Sequence, residues 1–479
     1  MKFNRLQKVL SRLITAMMIA SSATVIASAD GGPGLLVMKA SGISDGDFTR
    51  IAGKKRLSLF DCYALAVYNT ETMKIQEEHS VQAEARRDQA IGAFLPKVSL
   101  KALKPWPGYS NNYVTPSQRS NVSLNARQNL FTGLSEIYQY SAAAKDLRAK
   151  KYQAFYGAGR LLLEVAAAYC GVLQNEKKLQ TGRDILDLYR KMLNELRRRA
   201  SIGRSRQSEI LRTNSQIYVL EAQIKFQENA LASARLSLAT VAGMSRDAPL
   251  YDIQFLRDPA YDAGKLDEKL ADRWDIKSAR EQVEYADSNL KSAWSGHLPS
   301  AYVEGTYYLY QEKFPIPIYK VDPTSGRISV NTTPTKVRNY SVNLGVELPL
   351  FSGWSATNRI REAESVRREA ALNYSKTVRL ARQEILDSYR TWESSGIETR
   401  TLKKALESAE QNYRVVTEEY GRSLVTILDV LTSLTTLQNA RDQYESAVIR
   451  HGLDRIKLGV AVNEFTGPGA RALNNSDKR

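Results

Sequence analysis

Cysteine and histidine are nearly absent from these 479 residues: Cys62, Cys170, His79, His297 and His451 are the full complement. Neither cysteine has a second cysteine or a histidine at metal-ligand spacing, so the sequence indicates no metal site. Both lie in apolar stretches, DCYALAV and AAYCGVL, where a buried thiol acts as a small hydrophobe. An exported chain can also pair two such cysteines, and both readings stand at this level. No GxxxxGK[ST] or HExxH sequence is present, which argues against a nucleotide-driven machine and against a metallohydrolase, and no cofactor is implied. Beyond Ile26 no apolar run is long enough for a membrane helix, because charged residues interrupt every later helical segment. If this chain enters a membrane, strands must carry it there.

The first 29 residues do have an apolar run. Lys2, Arg5, Lys8 and Arg12 precede Leu13–Ile26, and Ala27-Ser28-Ala29 supplies small residues for cleavage, the pattern of a secretory signal. Thr15, Ser21, Ser22 and Thr24 break the run, and no cysteine follows the cleavage site to take a lipid. The formal net charge is +17, and removing the four basic leader residues leaves +13. That excess invites a nucleic-acid reading. The basic residues are spread along the whole chain without a recognition motif, however, so solvated helix surface explains them and no nucleic acid is expected.

The chain also repeats itself. AFLPKVSL (Ala93–Leu100) and QNLFTGLSE (Gln128–Glu136) return downstream as GHLPSAYV (Gly296–Val303) and LPLFSGWSA (Leu348–Ala356). A period of roughly 200 residues is too long for a solenoid unit and marks a duplicated half-protein. On this basis the chain divides into a leader (1–29), a flexible lead-in (30–56), a first repeat (57–243), a linker (244–266), a second repeat (267–459) and a disordered tail (460–479). Helices are expected over 57–92, 134–200 and 208–243 in the first repeat, and over 267–294, 355–420 and 425–458 in the second.

Strand periodicity appears between the helices. Val122, Leu124 and Ala126 alternate with Ser123, Asn125 and Arg127, and Val342, Leu344 and Val346 alternate with Ser341, Asn343, Gly345 and Glu347. Ala301–Tyr310 carries four tyrosines, a composition suited to a membrane interface. At 1.5 Å per residue the two longest helices would each span ~100 Å, and the shorter ones ~42–54 Å, so two stacked short helices match one long one. Ile427, Val430, Leu434, Leu437, Arg441, Tyr444 and Val448 step by three and four, as in helices packed side by side. Two strands per repeat make four, whereas closed membrane barrels need about eight or more. Open edges in lipid are prohibitive, so other copies of the chain must complete the barrel.

These features resemble the TolC-type outer-membrane efflux proteins over residues 57–459. The resemblance rests on Leu95-Pro96 and Leu298-Pro299, the LF-x-G turns at Leu130–Gly133 and Leu350–Gly353, and the segments GRSRQSEIL (Gly203–Leu211) and YGRSLVTILDVL (Tyr420–Leu431). It implies a mainly α fold with a small β part: duplicated long helices forming a coiled-coil barrel, and four strands per chain completing a twelve-stranded barrel in a homotrimer. It also implies a passive exit duct in the outer-membrane lipid that docks on a periplasmic adaptor and an inner-membrane pump. In that family the helical turns close the duct's inner aperture. Glu209, Asp429, Tyr420 and Arg422 are then gate candidates, and Gly203, Arg204, Arg206 and Gly421 are tip-turn and docking candidates. The family's further acid one turn beyond Asp429 is replaced here by Thr432, which weakens any carry-over of cation binding. A periplasmic scaffold or adaptor without a pore fits the helices equally well but not the alternating strands.

Overall fold

The computed structural model describes residues 43, 51, 54, 56–104, 106, 120–251, 263–311, 315–321, 323, 326–334 and 339–465. The expected leader, most of the lead-in and residues 466–479 of the expected tail lie outside the described residues. The chain forms two compact units, one of residues 1–80, 149–279 and 375–479, the other of residues 81–148 and 280–374.

The first unit is helical. Helix α1 (Leu59–Asn69) starts at a capping box in which Asp61 accepts from both the N–H and the hydroxyl of Ser58. One long helix was expected over 57–92. Instead Thr70 leaves helical geometry, its N–H and hydroxyl both bonded to the Ala66 carbonyl, and α2 (Glu71–Gly92) begins after it. Leu57 is not helical either, since it pairs with linker residue Leu250 in a parallel bridge. The first repeat continues with α3 (Ser135–Ser201) and α4 (Gln207–Ala242). In the second, 3-10 turns over Ala263–Asp272 precede α5 (Trp274–Trp294), so the helix expected from 267 begins later. Arg273 interrupts it, because its guanidinium is drawn inward to Asp275, Glu384 and the Ala461 carbonyl.

Two cores hold this unit. One packs Phe60, Tyr63 and Val67 of α1 against Leu162, Val165 and Tyr169 of α3. The lead-in residues Ile43 and Ile51 and the tail residue Phe465 are buried in the same core, so these described parts of the two expected flexible segments are packed. Cys62 and Cys170 lie here as free, buried thiols, which burial pushes up to about 12. The other core packs Ile185, Tyr189 and Leu196 of α3 with Ile217, Leu220 and Ile224 of α4. It also takes in Tyr420 of α6 (Ser355–Gly421) and Ile427, Val430, Leu434 and Leu437 of α7 (Ile427–Ala461). The expected α7 seam is therefore buried over its first half. Arg441, its polar member, is bonded to Glu410 and also faces Asp184.

The second unit carries the sheet. Strands β1 (Lys97–Leu103), β2 (Asn121–Thr132), β3 (Ser300–Gln311) and β6 (Tyr340–Glu347) lie in the order β1-β2-β3-β6, all antiparallel. Each repeat contributes one pair, and the repeats join at β2–β3. The long intervening loop of the second repeat holds a separate hairpin, β4 (Pro315–Val321) with β5 (Ile328–Pro334), not foreseen from the sequence.

Register separates the two faces of the sheet. Val98, Ala126, Gly305 and Val342 form one cross-strand row, and Lys97, Arg127, Glu304 and Asn343 form the adjacent row on the opposite face. Val342, Leu344 and Val346 are about 70% exposed, a high value for consecutive apolar residues on one face. On the polar face Arg127 lies 4.0 Å over the ring of Tyr302, and Thr306 donates to Asn125.

Both LF-x-G motifs make the same turn. Gly133 and Leu134 are consecutive left-handed residues (φ 63° and 66°), as are Gly353 and Trp354 (φ 61° and 63°). At Gly133 a Cβ would stand 2.8 Å from the Leu298 Cβ. The turn of the first repeat thus packs on the Leu-Pro motif of the second, and glycine is required there for space as well as for φ.

Candidate functional site

The helical turns of the two repeats lie side by side. The first joins α3 to α4 and the second joins α6 to α7. The Arg199 guanidinium connects them, lying 4.8 Å over the Tyr420 ring and donating at 3.2 Å to the Tyr420 carbonyl. Glu195, one turn before Arg199, accepts from its Nε at 3.1 Å and fixes the fork in that position. Tyr420 is 8% exposed. Burial pushes its hydroxyl pKa up, the Glu209 charge adds to the rise, and Arg199 opposes it, so the phenol stays neutral at physiological pH.

The two turns use the same backbone geometry. In the first, the Gly203 N–H bonds to the Ala200 carbonyl and the Arg204 N–H to the Arg199 carbonyl. In the second, Ser423 bonds to Tyr420 and Leu424 to Glu419. These are matching helix C-terminal closures, each with one left-handed residue. That residue is Gly203 (φ 73°) in the first turn and Ser423 (φ 62°) in the second. The expected break at Gly421 is thereby moved two positions. Gly421 is the last residue of α6, and the serine takes the conformation that glycine takes in the first repeat.

Glu209 and Asp429 occupy equivalent positions, each the third residue of the helix that follows its turn. The Glu209 carboxylate accepts from the Ser205 hydroxyl and the Arg206 N–H, and that of Asp429 accepts from the Thr426 hydroxyl (2.6 Å) and N–H (2.8 Å). Each acid closes the first turn of a helix, the N3 half of a capping box. Within the chain both acids serve as helix caps. The Thr426 hydroxyl and then its N–H hold Asp429 below the usual carboxylate range. A depressed folded value means the cap contributes fully above the unfolded value near ~4 and is lost as pH falls through the lower folded one.

Arg204, Arg206 and Arg422 are exposed on the turns. Thr432 is exposed and donates to the Leu428 carbonyl of its own helix. The structure therefore brings Tyr420 together with Arg199, a residue sequence reasoning passed over. Its signal was the Glu195/Arg199 spacing of four on one helix face. No helix among the described residues is long and apolar enough to cross a membrane.

Known proteins place this architecture. The outer membrane efflux protein family model matches residues 266–448, the larger part of the second repeat. The outer membrane protein TolC of Vibrio cholerae is 25% identical over 415 residues, covering 80% of this chain and 88% of that protein. TolC of Escherichia coli is 21% identical over 398 residues, covering 81% and 78%. Among solved structures, the outer membrane protein VceC of Vibrio cholerae superposes with a TM-score of 0.70 at 19% identity, over 84% of this chain and 95% of that one. The MtrE outer membrane channel of Neisseria gonorrhoeae, in its open state, also gives 0.70 at 19%, over 84% and 88%. A repeated helix–strand–helix chain, an unclosed sheet with one apolar face, and relatives matched over most of their length agree: the chain is similar in sequence and in fold to the TolC-type outer-membrane efflux proteins.

Proposed function

We propose that the outer-membrane channel formed by this chain is a passive homotrimeric duct, closed at its periplasmic end by the two helical turns. There it docks on a membrane-fusion adaptor and an inner-membrane pump, which supplies the energy and delivers the cargo. The observation that carries this reading is the four-stranded sheet, with β1 and β6 as its outermost strands and one exposed apolar face. Such edges and such a face are tolerable only where strands of other copies pair with them and lipid covers the apolar side. Trp294, Phe351 and Trp354, exposed beside the strand ends, have the composition of an interfacial aromatic girdle. An adaptor without a pore would have no use for either feature. Heat-modifiable migration of an outer-membrane fraction tests the trimer directly, and a chain that stays in the soluble periplasmic fraction refutes it.

The gate follows from the caps. Glu209 and Asp429 accept from the N-cap backbone N–H groups of the two helices that leave the turns, and losing either acid leaves those donors to solvent. Conductance of purified trimers in planar bilayers is therefore expected to rise when Glu209→Ala and Asp429→Ala are combined, because the first turns of α4 and α7 fray. Unchanged conductance would remove both acids from the gate.

A further inference from the structure

The polar face of the sheet holds an unbalanced row of charge. Register sets Lys97 of β1 opposite Arg127 of β2, Arg127 opposite Glu304 of β3, and Glu304 opposite Asn343 of β6. Two cations directly across from each other repel, and the pairing costs stability. Lys97 and Arg127 are both exposed, and neither they nor Glu304 form an ion pair among the described residues. Lys101, opposite Ser123 on the same face, adds a third cation, and Glu347, opposite Ser300, stands two rows away on the other side. The Arg127 guanidinium turns away from Glu304 and lies 4.0 Å over the ring of Tyr302. That ring in turn lies over Gly345, its cross-strand partner, where a Cβ would stand 2.5 Å from the Tyr302 Cζ. Glycine leaves the space, tyrosine fills it, and arginine rests on the tyrosine.

We propose that Arg127, seated on Tyr302 and facing Lys97, is an anion-recognition station on the lumen wall of the barrel, which takes carboxylate or phosphate groups of passing cargo. The proposal rests on the duct reading above, which gives the apolar face to lipid and the polar face to the lumen, and it adds the charge class of the cargo. The unbalanced pair is the first reason, because an anion held between Lys97 and Arg127 relieves their repulsion. The second is orientation. Stacking uses the face of the guanidinium and leaves its N–H edge for a planar or tetrahedral anion, a fit that the fixed fork of arginine favours. Among the described residues no hydrogen bond occupies that edge. Glu304 beside it limits the affinity, as a conducting pathway requires: a station must bind strongly enough to attract cargo and weakly enough to release it.

The test uses purified full-length trimers in planar bilayers, with tripolyphosphate, citrate or spermine as probes. Tripolyphosphate or citrate is expected to reduce the current of the unaltered channel in a concentration-dependent way, and a block by either supports the station. Arg127→Gln combined with Lys97→Gln should weaken that block at least ~10-fold, as the loss of charge-assisted hydrogen bonds implies. Tyr302→Leu, which keeps every charge, should also weaken it, whereas Tyr302→Phe should leave it unchanged because the ring supplies the seat. Arg127→Glu combined with Lys97→Glu should transfer the block to spermine. Conductance without a probe reports that each variant is assembled. A block that survives Arg127→Gln with Lys97→Gln overturns the proposal by placing the anion elsewhere in the duct. So does a block at full strength in Tyr302→Leu, which would reduce the station to diffuse charge. A conducting channel indifferent to both anions refutes this proposal alone, whereas the absence of any channel refutes the duct.

Discussion

Leu344→Arg is expected to abolish assembly in the outer membrane, while Asn343→Arg, one residue earlier on the same strand, is tolerated. The two positions differ only in the face they present. Leu344 is 70% exposed between Val342 and Val346, whereas Asn343 shares its cross-strand row with Glu304, Arg127 and Lys97. An arginine on the lipid face of a barrel costs ~2–4 kcal/mol at the bilayer midplane. In a trimer that cost is incurred three times in one cooperative assembly. On the polar face the same side chain meets water and carboxylates. The readout is the heat-modifiable trimer in outer-membrane fractions. In a water-exposed sandwich Leu344→Arg would be harmless or would improve solubility, so normal assembly of that variant would refute the face assignment and the barrel with it.

Arg273→Ala is expected to destabilise the helical unit by ~3–5 kcal/mol, the range for removing one partner from a buried ionic set. The Arg273 side chain is 4% exposed and bonds Asp275 at 2.8 Å and Glu384 at 2.6 Å, with the Ala461 carbonyl as a further acceptor at 2.8 Å. Burial alone would lower its pKa, but the hydrogen bonds and charges of Asp275 and Glu384 outweigh burial and raise it. The guanidinium is therefore charged throughout the accessible pH range. Deleting it strands the largely buried Asp275 carboxylate and the carbonyl of Ala461, the last residue of α7, at the same time. Glu384, whose side chain is 41% exposed, recovers water and limits the loss. Arg273→Lys should rescue little, since a single ammonium cannot reproduce the fork that reaches three acceptors. Thermal melts followed by far-ultraviolet dichroism in detergent measure the effect. A loss under ~1 kcal/mol would mean that the cluster contributes no more than an exposed pair.

Much of this architecture was legible because it depends on periodicity. The long helices, the alternation in β2 and β6 and the doubled LF-x-G turns follow from spacing that any local window contains. The departures have local or long-range causes. Thr70 ends α1 by binding Ala66 twice, a competition between side chain and helix that an apolar pattern does not display. Arg273 stops a helix because its partners come from positions 384 and 461, which no window around 273 includes. At the second turn a glycine drew attention to position 421, yet the closing hydrogen bonds assign the left-handed conformation to Ser423. The capping role of Asp429 was readable in the spacing Thr426-x-x-Asp429, a helix-start signature. It was passed over because the same residue had been read as a gate.

The β2–β3 junction also sets an order of folding. Within each repeat, strands pair across a loop, but Asn125 and Thr306 are bonded across 181 residues. Closing so long an excursion is slow, because chain entropy is lost before the contact rewards it. Until α3, α4 and α5 have been made, β2 has no partner on that side and its apolar face has no membrane. The exported chain therefore passes through a stage with a bare, sticky strand edge. Duplication placed the seam of longest sequence separation within the chain in the middle of the sheet, so the first repeat cannot complete its pairing until the second has been made.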